Sequence, residues 1–128
     1  MSDRRTVAVL GASRDRRKFG NKSVRAHLQQ GYAVYPINPK GGHIEGLTVY
    51  RSLSELPDDA KPLARISVYL PPPVVLAVLP EIAAVGCGEL WLNPGSESDE
   101  LLAAAERLGL PVICACSIVD VGLSPSAL

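Results

Sequence analysis

The sequence predicts an α/β protein: a three-layer, Rossmann-like fold with a mostly parallel sheet of about five or six strands flanked by helices. Three observations predict it. Short apolar runs recur along the chain, at Val7–Leu10, Tyr32–Ile37, Ala64–Leu70, Glu89–Leu92 and Pro111–Cys114. Helix-like segments alternate with them. Most runs also end on turn-forming or polar residues, as at Gly11-Ala12-Ser13, Asn38-Pro39-Lys40, Leu70-Pro71-Pro72 and Asn93-Pro94-Gly95. Alternation of this kind means parallel strands joined by right-handed crossovers. At 128 residues, with no internal repeat, low-complexity segment or linker, the chain is expected to form a single domain over 1–128.

Each element has its own local reason. Val7, Ala8, Val9 and Leu10 suit a strand buried on both faces. Gly11-Ala12-Ser13 breaks that run, a basic segment follows, and Asn21-Lys22-Ser23-Val24 predicts a helix start capped by Asn21 or Ser23. Val24, Ala26 and Leu28 give this helix an apolar face, and Gly31 closes it. Tyr32–Ile37 predicts a second buried strand, ended by Asn38-Pro39 and followed by the flexible turn Lys40-Gly41-Gly42. Leu47–Tyr50 predicts a short edge strand, and Ser52–Leu56 one helical turn stopped by Pro57. Asp58–Pro62 reads as a surface loop before the third substantial strand, Ala64–Leu70. Proline is tolerated at a helix start, so Pro71-Pro72-Pro73 can lead into a helix over Val74–Val85, kinked or split before Pro80. Gly86-Cys87-Gly88 turns the chain into the strand Glu89–Leu92. Ser98, Asp99 and Glu100 open a helix over Leu101–Leu108 with Gly109 as its stop, and Pro111–Cys114 is the last strand. The tail from Ser117 to Leu128 shows no clear period.

Thirteen Lys+Arg balance thirteen Asp+Glu, so no global field points to nucleic acid or to a membrane surface. The distribution is uneven: eight of the 13 basic residues lie at or before Arg25, which favours local anion binding near the N-terminal half. The longest apolar stretch, Val74–Val85, is interrupted by Pro80 and Glu81 and does not reach the length of a membrane span. Asp3, Arg4 and Arg5 lead straight into the first strand without a signal-peptide pattern. Three cysteines, an odd count, are expected to be free thiols in a reducing cytosol, so the expected location is cytoplasmic.

The chemistry concentrates at the first turn. A strand, a small-residue turn and a helix start point free backbone N–H groups and a helix dipole at one spot, which favours a phosphate. The G-x-G-x-x-G fingerprint is absent, since only Gly11 and the distant Gly20 are present. Ligands of such sheets bind beyond the carboxyl ends of the strands, where strand order reverses. Among Arg14, Arg16, Arg17 and Lys18, roughly one or two are expected to touch a ligand and the rest to be solvated. Ser13 is the best single contact, because its hydroxyl and its N–H can both donate. Lys40 stands open between ligand contact and free surface, and Pro71 and Pro72 are equally strand terminators.

Gly11-Ala12-Ser13, Lys18-Phe19-Gly20, Gly31-Tyr32, Pro36-Ile37-Asn38-Pro39, Ile44-x-Gly46, Tyr50-x-Ser52-Leu53, Pro71-Pro72 and Trp91-Leu92 occur in one order at compatible spacing. In these residues, from about Val7 to Cys116, the chain resembles the small stand-alone CoA-binding proteins. These are related to the N-terminal domain of the succinyl-CoA synthetase alpha subunit. The resemblance implies a domain that holds coenzyme A by its nucleotide end. It implies that the turn Gly11, Ala12, Ser13 and Arg14 receives the pyrophosphate; Lys18, from the basic run, is counted with the cofactor-binding residues. It implies that Lys40, after Asn38 and Pro39, faces the ADP ribose or its 3′-phosphate. Pro71 and Pro72, after Leu70, would wall the channel, and Leu92, Asn93 and Pro94 would line the next loop. The second strand ends in Asn38-Pro39-Lys40 and not in the acidic residue of an NAD site; a cation there suits a ribose phosphate.

Two departures are visible. Asn93-Pro94-Gly95 replaces a Gln-containing sequence common after the family's Trp. The synthetase's phosphorylated histidine belongs to another domain, and neither His27 nor His43 matches it. His27 is expected on a helix surface and Trp91 in the core. Cys114-Ala115-Cys116 lacks the spacing of a zinc or redox motif and reads as a buried strand end, with a mixed disulfide to CoA as a secondary chemistry. No Ser/His/Asp set, paired carboxylates or metal cluster suggests catalysis.

Three readings follow. The favoured one is a module that binds CoA or an acyl-CoA and is non-catalytic on its own. The second is a small NADP-binding oxidoreductase or redox sensor, with the basic loop on a 2′-phosphate. The third is the CoA-binding subunit of a partner acyl-CoA synthetase; either a protein partner or a homo-oligomer fits the sequence.

Overall fold

The computed structural model describes residues 5–128. Among these residues seven strands and four α-helices follow in chain order: β1 (Thr6–Leu10), α1 (Phe19–Gln29), β2 (Ala33–Ile37), β3 (His43–Ile44), β4 (Leu47–Thr48), β5 (Leu63–Val68), α2 (Pro72–Val85), β6 (Cys87–Leu92), α3 (Asp99–Arg107), β7 (Val112–Cys114) and α4 (Ser117–Asp120). Five strands form one sheet in the order β2-β1-β5-β6-β7, and every pairing in it is parallel. β3 and β4 make a separate antiparallel hairpin.

The period of two along β1 sets the layers. Ala8 and Leu10 face one core with Ile66, Val75, Leu79, Ile82 and Leu101, beneath α2 and α3. Val7 and Val9 face the other with Val24, Tyr32 and Val34, beneath α1. The first crossover runs from β1 to β2 and the next places β5 on the opposite side of β1. The reversal of strand order therefore lies between β1 and β5.

Several local expectations are corrected. The first helix begins at Phe19, before Asn21 and Ser23, and neither caps it; Lys18 at the N-cap position makes no side-chain cap. Asn21 is instead buried inside the first turn and spends its amide on the preceding loop. α2 is one helix through Pro80, neither split nor ended there. Pro80 lies on the exposed side, so the missing hydrogen bond falls away from the buried Val75, Leu79 and Ile82. His27 is fully buried and not on a helix surface, packed edge-on against Tyr32 at 4.9 Å. Cys114 is exposed, because β7 is an edge strand and its end is left open to solvent. Other signals hold: Ser98 caps α3 by accepting from the Leu101 N–H at 3.1 Å, and Trp91 is 5% exposed.

Candidate functional site

A groove with a volume of about 660 Å³ opens at the carboxyl ends of β1, β2 and β5, on the side where strand order reverses. That is the size of a small-molecule site. Its base is built from three turns. After β1, Gly11 adopts φ +86°, and a Cβ there would lie 2.6 Å from the Tyr69 carbonyl oxygen. Only glycine allows that approach with that backbone. Gly20, at the start of α1, packs directly on the Gly11 carbonyl, with no room for a side chain between them. The two glycines thus do across nine positions what a tight fingerprint does within five: they bring helix and strand end together.

No side chain caps α1; the Asn21 N–H turns back to the Lys18 carbonyl at 3.1 Å, and the amides of Phe19 and Gly20, both at the groove, are left to solvent or to an anion. Ser13 Oγ accepts from the Asp15 N–H at 3.0 Å and keeps its own proton to donate.

The basic run is mostly committed to holding this loop. Arg14 donates to the Gly41 carbonyl, and Arg16 pairs with Glu45. Arg17 pairs with Asp15 at 3.1 Å, and those hydrogen bonds hold the Asp15 carboxyl down at about 2. Asn21 Nδ2 joins the Ser13 carbonyl, at 2.9 Å, to Glu45 Oε2, at 3.1 Å. That amide, with Arg16 beyond it, lowers the Glu45 pKa. The β3–β4 hairpin and the turn after β1 are therefore clamped to each other. Lys18 lines the groove and forms no ion pair among the described residues.

Asn38 performs the same service after β2: its Nδ2 donates to the Ala12 carbonyl at 2.9 Å and its Oδ1 accepts from the Lys40 N–H at 2.8 Å. Of the residues expected at the site, Gly11, Ala12, Ser13, Lys18, Asn38, Pro39, Leu70, Pro71, Pro72 and Pro94 line the groove. Arg14, Lys40, Leu92 and Asn93 do not. Lys40 sits on an exposed turn, and Leu92 and Asn93 are fully buried below. The Asn93 side chain is occupied by Ser67, Val68 and Ser117.

Tyr69, Phe19, Val74 and Arg51 also line the groove, and sequence reading did not find them. Burial raises the Tyr69 pKa, and its hydroxyl lies 3.1 Å from Ser117 Oγ. Phe19 and Val74 are 54% and 44% exposed, which gives the mouth two open apolar surfaces. Arg51 arrives through a single parallel bridge, Ile37 to Tyr50, that lays its segment beside the end of β2. No short-range pattern announces such a bridge.

A second cavity, about 950 Å³, lies at the opposite end of the sheet between Thr6, Pro62, Leu63 and Cys87. It is larger, but it sits at the amino ends of the strands and has no helix N-terminus, so it lacks the geometry that holds a phosphate. Among the described residues no helix is long and apolar enough to cross a membrane.

The chain is similar to several known proteins. A family model described as a CoA binding domain matches residues 5–121. A trans-feruloyl-CoA synthase from an unknown prokaryotic organism is 34% identical over 122 residues, covering 84% of this chain and 16% of that protein. The alpha subunit of acetate–CoA ligase (ADP-forming) II from Pyrococcus furiosus is 32% identical over 120 residues, covering 85% of this chain and 26% of that protein. A solved conserved hypothetical protein from Pyrococcus furiosus superposes with a TM-score of 0.81 at 37% identity, over 91% of this chain and 98% of that one. The chain spans well under a third of either curated relative's length.

Proposed function

The chain belongs to the CoA-binding domain family, and from that membership we propose that its groove binds coenzyme A or an acyl-CoA by the nucleotide end. The observation that carries the reading is the uncapped start of α1 facing a glycine turn that no side chain obstructs. The pyrophosphate lies against Gly11, Ala12 and Ser13, with Lys18 as its cation. Asn38 and Pro39 border the adenosine, and Leu70, Pro71 and Pro72 form the apolar wall along which the pantetheine arm leaves. The domain binds and presents the cofactor without chemistry of its own. It works in the cytoplasm, where its three free thiols stay reduced.

A second reading extends the first: this domain serves a partner that completes an acyl-CoA ligase. It is favoured by the fact that the two curated relatives carrying this domain are ligase or synthase chains several times its length.

Calorimetric titration with CoA and NADPH tests the proposal. Saturable one-to-one binding of CoA, weakened at least tenfold by Lys18→Ala and not matched by NADPH, is the expected result. Tighter binding of NADPH would replace this reading with that of a nicotinamide-nucleotide protein.

A further inference from the structure

Gly41 is buried, although it lies in an exposed turn, because two arginine side chains cover it. Arg14, from the loop after β1, donates to its carbonyl oxygen. Arg51, from the segment bridged to β2, lies across the other side. A Cβ on Gly41 would stand 3.1 Å from Arg51 Nε, and one on Gly42 would overlap Arg14 Nη2. Two guanidinium groups of like charge are thus gathered at one turn beside the groove. The ion pairs among the described residues use Arg16, Arg17 and Arg65, and none reaches Arg14 or Arg51. Glu55 accepts from the backbone N–H of Arg51 at 3.0 Å and fixes where that residue starts. Like charges brought together without a counter-ion repel each other unless an anion joins them.

We propose that Arg51, steadied beside Arg14 at the Gly41-Gly42 turn, is the residue that reads a phosphate monoester on the ribose of the bound nucleotide. The inference rests on the groove being a nucleotide site and adds the group that confers selectivity. Arg51 lines the groove next to Asn38 and Pro39, at the end of β2, where the ribose of a nucleotide bound at a β1 turn lies. Lys40 is exposed and does not line the groove. A guanidinium presents paired donors matched to a phosphate monoester, and Arg14, held on the Gly41 carbonyl outside the groove, adds its charge from the same turn.

The test is titration of wild type, Arg51→Gln, Arg51→Lys and Lys40→Ala with CoA, 3′-dephospho-CoA, NADPH and adenosine 3′,5′-bisphosphate. Wild type is expected to prefer CoA over dephospho-CoA by about tenfold or more, the effect of a charge-assisted contact. Arg51→Gln erases that preference and leaves dephospho-CoA binding unchanged; Arg51→Lys restores part of it; Lys40→Ala keeps it. A thermal melt unchanged by Arg51→Gln excludes misfolding, since the side chain is exposed. Equal weakening of both CoA forms, or loss of the preference in Lys40→Ala alone, overturns the inference and leaves the CoA reading standing. If wild type binds neither CoA form, the CoA reading fails, and the bisphosphate and NADPH arms decide this one. Binding of either that depends on Arg51 upholds a ribose-phosphate subsite, and its absence overturns it.

Discussion

Asn93 Oδ1 accepts two hydrogen bonds from Ser117, one from its backbone N–H at 2.8 Å and one from its hydroxyl at 3.1 Å. On its other side the same amide donates to Ser67 Oγ and to the Val68 carbonyl, both at 3.0 Å. One buried side chain therefore ties the ends of β5 and β6 to the start of α4, directly below the groove. Asn93→Ala strands the buried Ser117 N–H and removes the amide donor of Ser67 Oγ, while the Val68 carbonyl keeps Ser96 Oγ as a donor, and it is expected to cost about 2–3 kcal/mol. Asn93→Asp keeps the acceptor but turns a second oxygen toward the Val68 carbonyl, and is expected to cost more. Urea unfolding of the three proteins at neutral pH checks both; an alanine variant as stable as wild type would show that the network does not hold the rim.

Gly20→Ala places a methyl against the Gly11 carbonyl. Neither partner can yield easily, because one is a helix backbone and the other a strand-end turn. The expected cost is about 1–3 kcal/mol, the usual range for overpacking. Gly31→Ala, where the added carbon meets nothing, is strained only by its positive φ of 85°. If thermal melts show Gly20→Ala to be neutral, helix and turn do not pack as described.

His27 makes stability depend on pH. Burial is the main cause that lowers its pKa from 6.5 to about 4, and the Arg65 charge adds to it; the Ser23 carbonyl and Asp120 oppose. Its Nδ1 lies 2.8 Å from the Ser23 carbonyl and carries the proton, so Nε2 is left as a bare acceptor in the core. Between about pH 4 and 6.5 the unfolded chain binds a proton that the folded chain refuses. The stabilisation is thus complete above pH 6.5 and is lost as pH falls through that window, by up to about 3 kcal/mol. His27→Leu removes the titration. Urea midpoints at pH 7.5 and 5 should converge more in that variant than in wild type, and equal pH slopes would sink the assignment.

The three thiols differ in reactivity. Burial pushes the Cys87 thiol up to about 11, so at pH 8 about one in a thousand is ionised. Cys114 is exposed at the end of the edge strand. Timed alkylation followed by peptide mapping should label Cys114 well before Cys87; the reverse order would place Cys87 at the surface.

The sheet was legible because each buried strand carries its own run of apolar residues. The β1 turn was legible because Gly11 interrupts one of them. What stayed hidden depends on contacts distant in sequence. Asn21 looked like a cap because its role, joining Ser13 to Glu45 across 24 positions, leaves no local mark. His27 looked like a surface residue because the buried Arg65, whose charge acts on it, comes from β5, while the Tyr32 ring packs on it only once the chain turns back after α1. Arg65 itself, buried between Tyr32 and Trp91 with Glu89 and Asp120 as partners, has no sequence signature. At the groove the glycines and prolines showed in the sequence because backbone geometry selects them. Arg51 did not, because one isolated bridge brings it there.

The central claim is that the nucleotide end of CoA lies in the groove at the carboxyl ends of β1, β2 and β5. Amide chemical-shift mapping during titration of the full chain with CoA tests it most directly. The account predicts saturable shifts concentrated at Gly11–Gly20, Asn38–Gly42, Arg51 and Tyr69–Val74, with Thr6, Leu63 and Cys87 unmoved. Shifts gathered around Thr6, Leu63 and Cys87, in the cavity at the opposite end of the sheet, would contradict it.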